Sequence, residues 1–340
     1  MIPIDKKHLL KMTLSERLYL ANNIYVIYPR IKEILSAIDY CHRFSNLKDE
    51  PDCLFLQGET GTGKTTIFRS YIQESPRYET ATGTVVPILS VTIPSPATVK
   101  SVVTKLLWEL GDPAYDKGTV GSQTIRLIGL MKDCGVELIF LDEFQHFIDR
   151  DSAKVLKTVS DWLKNLILDA KVPIILIGLP ESNAVFNFNS QLSRRFTNRY
   201  TLSPFEWKAD SGKEFRTFIH AVESQLPLSD ESCLASEEMS LRFYYASDGV
   251  VAYVMKLIRY GTYLALSQGL EKLDLNVLAT AFDKYVKADK LHKHNPFLTD
   301  EYLLYEKQVS SLQEFSTVEA TNRRIKPKTR SIKASDILHK

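Results

Sequence analysis

Cysteine is scarce. Cys41, Cys53, Cys134 and Cys233 lie far apart and form no C-x-x-C pair, which excludes a zinc ribbon or a disulfide framework and makes all four read as packing residues. Long hydrophobic runs are missing too: no stretch approaches the roughly 20 apolar residues of a membrane span. The opening Met1-Ile2-Pro3-Ile4-Asp5-Lys6-Lys7-His8 has no signal-peptide core, so no membrane partner and a cytoplasmic location are expected. A strong charge of either sign is absent, the net charge being +2. Any hold on a polyanion must then come from local basic stripes and not from the field of the whole molecule. No internal repeat or low-complexity block interrupts the body.

What is present centres on Gly58-Glu59-Thr60-Gly61-Thr62-Gly63-Lys64-Thr65, between the apolar Cys53-Leu54-Phe55-Leu56 and the helix-like Thr66-Ile67-Phe68-Arg69-Ser70-Tyr71. G-x-x-x-x-G-K-T between a strand and a helix is a phosphate loop. Its glycines tolerate positive φ, successive N–H groups point into one concavity, and the helix N-terminus adds its positive dipole end. Gly58 through Thr66 are the expected ATP-binding stretch, with Lys64 reaching the β- and γ-phosphates and the Thr65 hydroxyl ligating Mg²⁺. A second motif, Glu137-Leu138-Ile139-Phe140-Leu141-Asp142-Glu143, is an apolar strand ending in two carboxylates. Beside a phosphate loop this is the Walker B arrangement: Asp142 holds Mg²⁺, and Glu143 orients and polarises the attacking water.

Apolar periodicity fills in the frame. Two helices are expected between Met12 and about Asn46, broken at Tyr28-Pro29-Arg30 with Pro29 in the first turn of the second. Tyr25 to Ile31, Tyr28 above all, is a base-pocket candidate, and packing of the helix onto the sheet accounts for the same residues equally well. Val85 to Val91 reads as a second strand that Pro87 warns will start late. Ser95-Pro96 signals the start of a helix through Lys100, Lys105 and Trp108, and Lys117-Gly118-Thr119 leads into a helix from Gln123 to Lys132. After a helix ending in Trp162 to Leu168 comes a fourth buried strand, Val172 to Gly178. The fold expected is α/β, a parallel sheet flanked by helices with the nucleotide at the carboxyl ends of its strands. Gln191 to Tyr200 reads as a dense basic turn, from which Arg194, Arg195 or Arg199 can reach the γ-phosphate of a neighbouring subunit; surface charge or an intrachain salt bridge is the rival explanation. Beyond Phe205 the pattern is helical: Gly212 to Leu226, Glu237 to Ala246, Gly249 to Ser267 and Asp274 to Lys287. An amphipathic run, Tyr302 to Phe315, precedes a tail carrying Arg323, Arg324, Lys326, Lys328, Arg330, Lys333 and Lys340 against Asp336, read chiefly as a solvated tail. The expected division is a helical segment 1–46, a nucleotide-binding core 47–205, a helical lid 206–298, and a C-terminal helix with basic tail 299–340.

With these motifs in order, the chain resembles an AAA+ ATPase, and more narrowly the TniB/TnsC transposition regulators, relatives of the MuB and IstB proteins, of the Tn7-like or CRISPR-associated transposon type. The narrower resemblance rests on Tyr28-Pro29-Arg30, Lys117-Gly118-Thr119-Val120, Cys134-Gly135-Val136-Glu137, Gln191-Leu192-Ser193-Arg194-Arg195-Phe196 and Gly249-Val250-Val251-Ala252-Tyr253-Val254-Met255-Lys256. It implies ATP-bound subunits that form a ring or helical filament on double-stranded DNA, mark a target site and recruit the transposase and target-selection proteins, with slow hydrolysis resetting the assembly. It also implies DNA contacts from Lys100, Lys117 and Thr119. A helicase loader or origin-recognition ATPase, or an NTPase switch binding only protein, shares the motifs. Two departures stand out. Where such lids often carry an arginine after the lid glycine, Lys256 is the first cation after Gly249. Leu179 stands at the end of the fourth strand where many relatives have a polar residue, with Ser182 or Asn183 as substitutes.

Overall fold

The computed structural model describes residues 9, 11–44, 50–148, 153–207, 211–290 and 293–300; the run Tyr302 to Phe315 and the basic tail lie outside the described residues. The strands are β1 (Leu54–Gln57), β2 (Tyr78–Thr80), β3 (Gly83–Val85), β4 (Ile88–Thr92), β5 (Leu138–Asp142), β6 (Ile174–Gly178) and β7 (Asn198–Thr201). Five of them form one sheet in the order β4-β5-β6-β1-β7, and every pair in it is parallel. Parallel neighbours need crossover helices that cover both faces, which is why β5 and β6 are buried at every position and read as unbroken apolar runs. Phe55, Leu89, Leu141 and Leu176 of the sheet share one core with Leu106, Leu163 and Leu166 of the helices Val99–Glu109 and Ala153–Ala170. Each such side chain contributes about 1.5–3 kcal/mol when fully buried.

By internal packing the chain divides into two units. The first is Asn23–Phe205 with Val250–Met255 and contains the sheet. The second is Glu206–Gly249 with the described residues of Met1–Asn22 and Lys256–Lys340. It is built from the helices Leu14–Asn22, Lys213–Glu223, Glu237–Ser247 and Leu275–Tyr285 and most of Val251–Ser267. Inside it the buried Arg17 donates to the Pro227 carbonyl and to both carboxylate oxygens of Glu271, which pulls the Glu271 carboxyl below its ordinary value. The helix Leu14–Asn22 thus packs with the second unit, while its neighbour in sequence, Pro29–Phe44, belongs to the first. Among the described residues no helix is long and apolar enough to cross a membrane.

Several sequence expectations are corrected. The strand read over Val85 to Val91 starts late, at Ile88, as Pro87 warned, and Val85 instead pairs with Tyr78 in the β2–β3 hairpin. Pro87 has no N–H for the ladder, yet its carbonyl accepts from Glu137 and Leu138. The helix expected at Ser95-Pro96 begins at Val99, capped by Thr98 and Ser101 in a reciprocal capping box. The basic turn is a short helix, Ser190–Arg195, followed by β7. Cys41 and Cys53 are buried packing residues, but Cys233 is exposed. Burial pushes the Cys53 thiol up to about 12, and its sulfur accepts from the Ile174 N–H.

Candidate nucleotide-binding site

β1 delivers the chain to Gly58 at a point where nothing but glycine fits, because a Cβ there would lie 2.3 Å from the Leu202 carbonyl oxygen. Gly61 and Gly63 then sit at φ +82° and +104°, in the region that glycine alone enters freely. Thr62 is buried and donates its hydroxyl to the Glu59 carbonyl at 2.9 Å, while Glu59, Thr60 and Thr66 are exposed. Gly63 caps the helix Lys64–Glu74 with no side-chain cap, and the Thr66 N–H donates to the Gly63 carbonyl at 3.0 Å, so the N–H groups of Lys64 and Thr65 face outward from the helix end, where an anion is favoured. The Lys64 ammonium donates to the carbonyls of Gly58 at 2.6 Å and Glu59 at 2.9 Å. Burial lowers its pKa from the ordinary lysine value, against the opposing pull of Asp142, Glu143 and Glu59.

The two motifs meet. Asp142, 3% exposed at the end of β5, accepts from the Thr65 hydroxyl at 3.1 Å and from the Glu143 N–H at 2.9 Å. Burial raises its pKa above the ordinary aspartate value, offset in part by those hydrogen bonds and by Lys64. A hydroxyl and a carboxylate beside an uncapped helix end make a donor set suited to a hard cation and a phosphate together. The residues present therefore fit Mg²⁺ and a nucleotide. Glu143 turns the chain out of β5 at φ 60°, ψ 41°. Its carboxylate accepts from the Gln145 amide and lies 3.9 Å from His146 Nε2.

Of the polar substitutes proposed for Leu179, Asn183 is engaged otherwise. The Asn183 amide donates to Gln57 Oε1 and to the Pro180 carbonyl, and Gln57 in turn donates to Thr201. Ser182 is buried with no partner for its hydroxyl among the described residues, 2.7 Å from where a Cβ on Gly178 would lie. Instead Gln145 accepts from the Leu179 N–H at 3.2 Å. Sequence reasoning missed Gln145, and nothing in its local pattern points to this contact.

The structure separates the three arginines. Arg195 is 7% exposed, donates to the Gln191 carbonyl at 3.2 Å and pairs with Glu50 at 3.0 Å, so the salt-bridge explanation holds for it. Arg199 donates to the Phe196 carbonyl and to Ser193, with its guanidinium 4.4 Å from the Phe186 ring centroid. Arg194 is exposed. Arg195→Ala is expected to cost about 2 kcal/mol of stability, since it empties a buried site and strips its hydrogen bonds, and Arg194→Ala less than about 0.5 kcal/mol. Denaturant midpoints at unchanged m-value check both.

Tyr28 is buried, its ring 5.0 Å from that of Phe205, and the Arg30 guanidinium lies over both and donates to the Ser203 carbonyl. Its packing role is on view. Lys256 pairs with Asp289 at 3.1 Å within the second unit. What meets the phosphate loop after Gly249 is backbone and methyl: the Ala252 N–H donates to the Gly61 carbonyl at 2.9 Å, and a Cβ on Gly61 would lie 3.0 Å from Ala252 Cβ. Lys100 is exposed in the first turn of Val99–Glu109, Lys117 is exposed with Asp116 at 3.5 Å, and Thr119 caps the helix Val120–Asp133. The loop bearing Lys117 is clamped from below by Arg126, which donates to Asp112 Oδ2 at 2.6 Å and to the carbonyls of Ala114 and Lys117.

A β4-β5-β6-β1-β7 parallel sheet with a phosphate loop after β1, a carboxylate pair after β5 and a helical C-terminal region is the AAA+ P-loop fold. Its likeness to solved structures says the same. The Aeropyrum pernix ORC2 protein in its ADPNP-ADP complexes matches at 14% identity and TM-score 0.57 over 78% of this chain and 71% of that one. The Aeropyrum pernix ORC1 protein in complex with DNA matches at 16% identity and TM-score 0.56 over 78% and 69%. Cdc6p from Pyrobaculum aerophilum matches at 14% identity and TM-score 0.55 over 83% and 71%. The TniB family, described as bacterial TniB protein, matches residues 17–208, more than half of the chain; the chain belongs to the TniB family. No curated protein matches it.

Proposed function

We propose that this chain is an ATP-dependent regulator of DNA transposition: ATP-bound subunits assemble on double-stranded DNA, mark the target and recruit the transposase, and hydrolysis resets the assembly. The observation that carries the reading is the contact of Thr65 with Asp142, which joins the phosphate loop to the carboxylate pair in a member of the TniB family. Mg²⁺, held by Thr65 and Asp142, would screen the phosphate charge. Lys64 leaves its loop carbonyls for the β- and γ-phosphates, and the loop N–H groups hold the rest. Water bonds to the γ-phosphorus as the bond to the bridging oxygen breaks, Glu143 takes the water's proton, and ADP and inorganic phosphate result. Arg194, the exposed member of its cluster, serves the nucleotide of the adjacent subunit. Mixing Arg194→Ala with a Glu143→Gln subunit is expected to give turnover above the sum of the two alone, and a mixture that only adds would remove the action in trans.

DNA binding is assigned to Lys100, Lys117 and Thr119, which offer phosphate ligands without base preference. The DNA complex of the ORC1 protein lends the AAA+ fold a precedent. Each phosphate neutralised releases counterions, so log affinity falls with log salt by about 0.9 per contact. Lys100→Ala with Lys117→Ala is expected to flatten that slope by about two contacts per bound subunit and to weaken all duplex sequences alike. An unchanged slope, with binding lost on truncation after Leu298, would move the function to the tail. An origin-recognition role is favoured by the fold likeness alone, and a replicative helicase partner would support it; stimulation of turnover by duplex DNA irrespective of sequence would separate the transposition reading from an NTPase switch that binds only protein.

A further inference from the structure

At the carboxyl end of β6 the backbone N–H of Leu179 is met by a side chain that arrives from the neighbouring strand's turn. Gln145, half-buried in the 3₁₀ segment Phe144–Phe147, accepts that N–H through Oε1 at 3.2 Å and donates through Nε2 to Glu143 Oε2. The amide cannot be reversed without losing both bonds: the end facing an N–H must be oxygen, and the end facing a carboxylate must be the NH₂. The seat is tight. A Cβ on Gly178 would lie 3.1 Å from Gln145 Oε1 and 3.3 Å from Phe144 Cβ, while Phe144 and Phe147 anchor the turn in the core. Glu143 itself is held at positive φ, a conformation that persists only where the surroundings over-determine it.

Resting on the ATPase reading above, we infer that Gln145 is a positioning residue for hydrolysis: it ties one carboxylate oxygen of Glu143 to the end of β6 and leaves the other for the attacking water. A general base set loose by about 1 Å loses on the order of 100-fold in rate. ATP, bound through the loop and Lys64, does not touch Gln145 in this scheme. Turnover number and ATP affinity therefore separate.

The test compares Gln145→Met, which removes both bonds, with Gln145→Glu, which keeps the acceptor for Leu179 but loses the donor to Glu143. The full chain is used, with kcat from phosphate release and ATP affinity from a fluorescent ATP analogue. Each variant is expected to lose about 100-fold in kcat with affinity within about 3-fold of the parent. Combined with Glu143→Gln, neither should lose more, because Gln145 acts only through Glu143. Unchanged kcat, an equal loss of ATP affinity, or an additive loss in the double variant would overturn the assignment. Should the methionine variant not fold, the near-isosteric Gln145→Glu decides alone. If Glu143→Gln keeps parental turnover, the hydrolysis reading falls and takes this one with it. If Glu143→Gln stops turnover while the Gln145 variants do not, only the role of Gln145 falls.

Discussion

Glu143→Gln is expected to bind ATP as the parent does and to turn it over roughly 100- to 10,000-fold more slowly, the range a positioned general base contributes. The amide keeps the shape of the carboxylate and the place at the end of β5, but it does not take a proton from water. Asp142, Thr65 and Lys64 are untouched, and these are the groups assigned to the cation and the phosphates. The nucleotide should then persist and any ATP-dependent assembly with it. Equilibrium binding of ATP and the rate of phosphate release check the two halves separately. Loss of ATP binding in this variant would mean that Glu143 is a ligand of the nucleotide site and not its base.

Lys64→Ala is the converse case. Removing one partner of a desolvated, hydrogen-bonded charge pair costs about 2–5 kcal/mol, so ATP affinity is expected to fall by about 30- to 5,000-fold. The Lys64 ammonium is partly desolvated, which pulls its pKa down, and it donates to the carbonyls of Gly58 and Glu59, neutral acceptors that a triphosphate readily replaces. The variant also strips those two carbonyls of their strap, so thermal unfolding without nucleotide must be measured beside binding. A collapse in affinity with little change in unfolding temperature is the expected pair of results. Retained affinity would contradict the phosphate role of Lys64.

How much of this was legible in the sequence depends on how local the cause is. The strands at Leu54, Leu138 and Ile174 announce themselves because parallel strands are apolar on both faces. Asp274 and Pro29 mark helix starts by their own chemistry, and the phosphate loop by its glycines. The β2–β3 hairpin was not legible: β2 is exposed throughout, β3 is at most partly buried, and neither carries an apolar alternation. The helix start at Thr98 was not legible, because its capping box is completed by Ser101 and not by the usual glutamate. Arg194 and Arg195 are neighbours in sequence, but on a helix adjacent side chains point about 100° apart, and the partner that draws Arg195 inward, Glu50, is remote in sequence. Gln145 is the extreme case, since its bond to Leu179 exists only once β5 and β6 are side by side.

The central claim is that nucleotide controls assembly on duplex DNA. Electron microscopy of the full chain with a non-hydrolysable ATP analogue and duplexes of two unrelated sequences tests it most directly. Rings or helical filaments should enclose both duplexes alike, disappear when ADP replaces the analogue, and fail to form with Lys64→Ala. Dispersed protein beside bare DNA, or assemblies indifferent to the nucleotide, would contradict it.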